Sequence, residues 1–306
     1  MRWERGERSE NLEDRRAEGG GRPRLRFPRS GSGARIPIPA GRGGRLSLTS
    51  ILVMLALAWF LGLDPMSLLG GLGGGGLSPD LGARVDPDAS FGGAPPRSTP
   101  QEEEQVDFVS FVLDDLQSTW GELLPGYRDA KLVLFRDATQ SGCGVGQSEM
   151  GPFYCPADEK VYVDLAFYDE LRQRFGAPGD FAQAYVLAHE VGHHIQRLTG
   201  LEQKVCAAQQ RSPDLANELS VRMELQADCL AGVWGRHADR RGVLEPGDID
   251  EGLRAAAAIG DDRIQKMSGR GVHPESWTHG SSAQRQEWLH RGLETGDPDR
   301  CDTFGS

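Results

Sequence analysis

The segment AYVLAHEVGHHIQ, residues 184–196, sets His189 and His193 four positions apart, with Glu190 directly after the first. On a helix, residues four apart project from nearly one face. Two imidazoles so placed can share one Zn²⁺ at about 2.0–2.1 Å. A carboxylate at Glu190 flanks the position of a metal-activated water, where it can take a proton and later deliver it to a leaving amine. This is the H-E-x-x-H pattern, and its chemistry is metal-assisted hydrolysis of a peptide bond. Gly192 keeps that helix surface thin, so a second element can approach the site.

A hydrolytic zinc needs a third protein ligand and one open position. A further histidine six residues after His193 would be one solution, but that position is Thr199, and Gln196 stands where a glycine would be needed. The other solution is a carboxylate from a later helix. SVRMELQADCLAGVW, residues 220–234, supplies Glu224, with Asp228 one turn further along the same face. Two carboxylates on an apolar helix are costly to bury without partners. Glu224 is therefore the expected third ligand. Asp228 is expected to accept the second N–H of a ligand histidine. His279, in THGSSAQR at 278–285, is the candidate donor to the oxyanion of the transition state, with Arg285 as support and His273 as the alternative. His194 falls off the ligand face and reads as a packing or supporting residue.

These groups need helices to hold them. Asp180 with Gln183 resembles a capping box opening the helix that runs to Gly200. Ser212-Pro213 reads as the N-cap and first residue of the next, running to about Arg236. Ser281 with Gln284 resembles a second capping box, at the start of a helix over 282–293, and another helix is expected over 247–267. Upstream, Val106–Trp120 has helical spacing and KLVLF at 131–135 reads as a buried strand. GPFYCP at 151–156 and KVYVDL at 160–165 read as a hairpin closed by residues 157–159. A short helix over 164–175 follows. The class is α+β, mostly helical with a small sheet.

The chain has 306 residues and a net charge of −11, which argues against a nucleic-acid partner. Its charge is unevenly placed. Residues 1–45 hold twelve arginines and six acids, residues 46–63 hold no charge, and the remainder carries a net −17. The uncharged run, LSLTSILVMLALAWFLGL, would span about 27 Å as a helix, enough for a hydrocarbon core. With all twelve arginines on one side, it reads as an uncleaved signal-anchor with a cytoplasmic N-terminus and an extracytoplasmic C-terminal domain. Four regions are expected: a disordered basic tail over 1–45, a transmembrane helix over 46–63 in contact with the lipid bilayer, a Gly/Pro-rich linker over 64–102, and a folded domain over 103–306. All five cysteines, Cys143, Cys155, Cys206, Cys229 and Cys301, lie after the run, as suits an oxidising compartment. An odd number leaves at least one unpaired within a monomer.

The chain resembles the bacterial neutral zinc metallopeptidases, a family of membrane-anchored metalloproteases. The resemblance is carried by MRWERGERSENLEDRR, LGLDP, KLVLFRD, GPFYCPADEKVYVDL, FGAPGDFAQAYVLAHEVGHHIQ, ELQADCLAGVWG, THGSSAQR and the terminal CDTF. It implies a zincin-like domain outside the cytoplasm, a protein or peptide substrate, zinc on His189, His193 and Glu224, and Glu190 as catalyst. Cys143, Cys155, Cys229 and Cys301 fall within or beside the matching blocks and Cys206 does not. The resemblance thus implies Cys143–Cys155 and Cys229–Cys301 disulfides with Cys206 free. The competing reading is a non-catalytic envelope scaffold stabilised by the metal. A structural zinc is normally closed by four protein ligands, and only three are identifiable here.

Overall fold

A computed structural model describes residues 1–18, 98–269 and 271–305 of the chain. Its first long helix, α1 (Pro100–Leu123), starts where Thr99 accepts a hydrogen bond from the amide of Glu102 and Pro100 takes the first helical position. One face of α1, including Val106, Val109, Leu113 and Leu116, lies in the core.

A four-stranded sheet has the order β1-β2-β6-β5. β1 is Leu12–Asp14, β2 is Lys131–Phe135, β5 is Phe153–Cys155 and β6 is Lys160–Asp164. β2 runs parallel to both β1 and β6, with Leu132 opposite Leu12 and Val161, and β5 closes back antiparallel on β6. The β5–β6 pair is the expected hairpin, and Glu159 takes a left-handed conformation in its turn. Leu132 and Leu134 are fully buried, each contributing roughly 1.5–3 kcal/mol. A separate hairpin joins β3 (Ala138–Ser141) to β4 (Gly144–Gln147). Its polar, glycine-containing strands carry little apolar alternation, and the sequence reading did not separate them.

The helical layer holds α2 (Ala166–Gln173), α3 (Asp180–Leu198), α4 (Leu201–Arg211), α5 (Ala216–Arg240), α6 (Asp248–Ala258), α7 (Asp261–Met267) and α8 (Ser282–Thr295). The fold is mostly helical α+β, as expected. Several local expectations are corrected. Asp180 makes no cap; α3 starts after Gly179, and the Asp180 carboxylate binds the Met1 ammonium at 2.7 Å. Ser212-Pro213 opens a single 3-10 turn, and α5 begins only at Ala216. The helix expected over 247–267 is two helices, because the amide of Asp261 bonds to the carbonyl of Gly280 and the chain leaves α6 there. The Ser281–Gln284 capping box is formed.

The reading of residues 1–45 as a disordered tail fails for residues 1–18. Besides β1, this segment places Trp3 against Phe108, with ring centroids 5.5 Å apart. Arg8 binds Glu103 and Asp107, both at 2.7 Å. Arg16 is buried among Asp14, Glu102 and Glu103. Composition placed these arginines in a disordered basic tail, whereas Glu102, Glu103 and Asp107 of α1 supply acidic partners for them. The expected transmembrane run, residues 46–63, lies outside the described residues, as does most of the expected linker. Among the described residues no helix is long and apolar enough to cross a membrane.

Both implied disulfides are formed, Cys143–Cys155 and Cys229–Cys301, and Cys206 is free and exposed. The second ties the C-terminal turn to α5. α5 and α8 meet backbone to backbone. A side chain at Gly292 would fall 2.0 Å from the carbonyl oxygen of Cys229, so only glycine permits this approach. Gly192 on α3 faces Ala227 on α5 in the same manner, with the Ala227 Cα 3.0 Å from where a Cβ would stand. These contacts bring α3, α5 and α8 together around one polar cluster.

Candidate metal centre

α3 presents His189, Glu190 and His193, and α5 presents Glu224 and Asp228. The Glu224 carboxylate reaches both histidines: one oxygen lies 3.1 Å from Nε2 of His189, the other 3.4 Å from Nε2 of His193. The nearest ligand atoms of the three residues all lie within 4.8 Å of one another. A tetrahedral zinc with bonds of about 2.0–2.1 Å needs ligand atoms about 3.3–3.4 Å apart. The observed separations bracket that spacing.

The far side of each imidazole is also fixed. Nδ1 of His189 donates to Asp228 at 2.8 Å, and Nδ1 of His193 donates to the side-chain oxygen of Gln196 at 2.9 Å. In the neutral tautomer both Nε2 lone pairs then face Glu224, the arrangement a metal requires. The donor set, two imidazoles and a carboxylate, fits zinc. Charge supports the same conclusion. Burial alone would lower His189, but Asp228 and Glu224 outweigh it and hold it at about 10. Burial would likewise lower His193, yet Glu224 raises it. Glu224 is pulled well below the carboxylate range despite its burial, chiefly by His193. Without a metal His189 therefore holds a proton, which binding a cation would release.

Asp228 is the hub behind His189. One of its oxygens accepts from His189, from the hydroxyl of Tyr185 at 2.6 Å and from Arg285 at 2.9 Å; the other accepts from Arg285 at 2.8 Å. Asp228 thus occupies the position the sequence assigned to it. Arg285 does not act where it was expected. It is 2% exposed and committed to Asp228 instead of assisting His279. Tyr185 and Gln196 were missed. Tyr185 reads as one of the apolar positions of α3, and nothing local marks its hydroxyl as a hydrogen-bond donor to the site. Gln196 was read only as the residue that excludes a different ligand pattern.

A cavity of about 540 Å³ opens on the cluster. His189, Glu190, His193, Glu224 and His279 all line it, as do apolar side chains of Met150, Phe153, Phe167, Phe175, Ile259 and Ile264. His279 is half-exposed on the loop before α8. Asp261, at the start of α7, accepts from the amides of Thr278, His279 and Gly280 with one oxygen, at 2.8, 2.7 and 3.1 Å. Its other oxygen lies 3.3 Å from Nδ1 of His279. That hydrogen bond raises the His279 pKa against the effect of burial. His273 is exposed beside Glu275 and does not line the cavity. His194 is fully buried: Nε2 donates to the carbonyl of Arg128 at 2.7 Å and Nδ1 accepts from Tyr154 at 3.0 Å. It pins α3 to the segments before β2 and in β5.

The two-histidine, one-glutamate cluster beneath a partly apolar cleft is the donor arrangement expected of a zinc site on an H-E-x-x-H helix. The chain belongs to the family described as "Putative neutral zinc metallopeptidase", whose model matches residues 1–304. It is 46% identical to "Uncharacterized protein YpfJ" of Escherichia coli K12 over 311 aligned positions, covering 100% of this chain and 99% of that one. It is 47% identical to "Uncharacterized protein Rv2575" of Mycobacterium tuberculosis H37Rv over 204 positions, 63% of this chain and 68% of that one. No solved structure matches the chain.

Proposed function

We propose that the protein is a zinc-dependent endopeptidase acting on proteins or peptides, with the metal on His189, His193 and Glu224. The supporting observation is the spacing of the three ligand atoms around one point, with both imidazoles oriented from behind by Asp228 and Gln196. Zinc bound there would supply Lewis-acid polarisation of the scissile carbonyl and a lowered pKa for water. Glu190 lines the same cavity beside His189; it takes the proton from the attacking water and passes it to the leaving amine. His279, held by Asp261, donates to the carbonyl oxygen as negative charge builds on it. Apolar side chains around the cleft favour apolar residues next to the cleaved bond. The paired cysteines support an extracytoplasmic compartment, and the run over residues 46–63 supports attachment to a bilayer.

The test uses the full-length chain in detergent, loaded with zinc, on a mixed peptide library read by mass spectrometry beside Glu190→Gln. Internal cuts made by wild type and lost in a variant that still binds one zinc per chain are expected. Zinc binding with no cuts from either protein would favour the scaffold reading.

A further inference from the structure

Two stretches of the chain that the charge-free run separates are parts of one fold. The amide of Leu132 donates to the carbonyl of Asn11 at 2.9 Å, and the amide of Arg15 donates to the carbonyl of Leu134 at 2.8 Å. Side chains add to this ladder. Lys160 on β6 binds Glu13 at 2.7 Å, and the amide of Ser9 donates to the hydroxyl of Ser110 on α1 at 2.7 Å. Arg16 is 4% exposed, and its partners Glu102 and Glu103 stand at the start of α1. A buried guanidinium without those carboxylates is strongly destabilising. Without β1, the edge of β2 would show unpaired backbone groups.

None of these contacts can form across a bilayer. The hydrocarbon core is about 30 Å thick, whereas the contacts that join the segments are 2.7–2.9 Å long. Residues 46–63 hold a single uncharged run, and one crossing would place the two partners on opposite faces.

We infer that residues 1–18 and the domain that follows residue 98 occupy the same compartment. This inference does not depend on the peptidase reading, and its test works equally on an inactive variant.

The test is paired thiol labelling of the full-length chain in intact cells with a membrane-impermeant maleimide. One reporter is the native Cys206, which is exposed. The other is Glu7→Cys in a Cys206→Ser background; Glu7 is exposed, so neither change disturbs the fold. Both thiols label after lysis. The expected result is that the two behave alike before lysis, both modified or both protected. Modification of one with protection of the other in sealed cells would overturn the inference. As a second reading, Arg16→Glu lowers the melting temperature of the purified full chain if the segment is docked. An unchanged melting temperature would overturn docking itself.

Discussion

Asp228 accepts the Nδ1 hydrogen of His189 at 2.8 Å while Arg285 grips both of its oxygens. The orientation of the His189 ring is thus set by a buried ion pair contributed by two other helices. Asp228→Asn keeps the volume but weakens both interactions. It is expected to lower zinc affinity 10–100-fold, measured by competition with a chelating indicator. Asp228→Ala also leaves Arg285 buried without its counter-ion and should cost about 3–5 kcal/mol of stability, read by chemical denaturation.

The Asp261–His279 pair makes a kinetic prediction. Asp261 raises the His279 pKa, and the protonated ring is the form with a hydrogen to give to the carbonyl oxygen. Activity that depends on this form declines as pH rises through the His279 pKa. Asp261→Asn removes the charge but retains an oxygen for the loop amides, so that alkaline limb should move to lower pH. In the same variant kcat should fall with KM nearly constant, as for an interaction made in the transition state. The pH profile of kcat/KM checks the first, and separate kcat and KM values with a peptide found in the library check the second.

His194 predicts how stability responds to acid. Burial lowers its pKa below the usual histidine value, against the raising effect of the Arg128 carbonyl. Above about pH 6.5 the ring is neutral both folded and unfolded, and its contribution is fully present. As pH falls below that value the unfolded chain takes up the proton first, so stability is lost. Wild type should lose more stability than His194→Gln between pH 7.5 and 5.5, measured by urea midpoints. An equal loss in the two proteins would refute it.

The disulfides close loops with sequence separations of 12 and 72 residues. Chain entropy assigns them about 3 and 4 kcal/mol respectively. Cys301→Ser should therefore destabilise the protein more than Cys143→Ser, and the thermal midpoints of the two variants should rank in that order. Non-reducing peptide maps of wild type should show one free thiol, Cys206.

The candidate metal cluster was legible in the sequence because its members recur at a local period. His189 and His193 are one helical turn apart, and so are Glu224 and Asp228, on helices whose apolar positions could be counted. The β5–β6 hairpin was legible for the same reason. Arg285, Tyr185 and Asp261 act through partners 57, 43 and 18 positions away, and no short window contains both members. Asp180 looked like a cap because its spacing to Gln183 was right, but an ammonium from the other end of the chain claims its carboxylate. β1 is only three residues long, too short for any alternation to register, and its arginine-rich surroundings suggested disorder. Family membership over residues 1–304 agrees with its being part of the domain.

The β1–β2 pairing has a consequence for how the protein is made. Leu12 and its partner Leu132 stand 120 positions apart. At about 5–20 residues per second of synthesis, the strand waits roughly 6–24 s for its partner to be made. During that interval it has no ladder to join. Glu13 and Asp14 within it and Glu10, Arg15 and Arg16 beside it are charged, which protects a waiting strand from pairing with other chains. The early strand is thus late to find its place, and the sheet closes only after the whole uncharged run over residues 46–63 has been made.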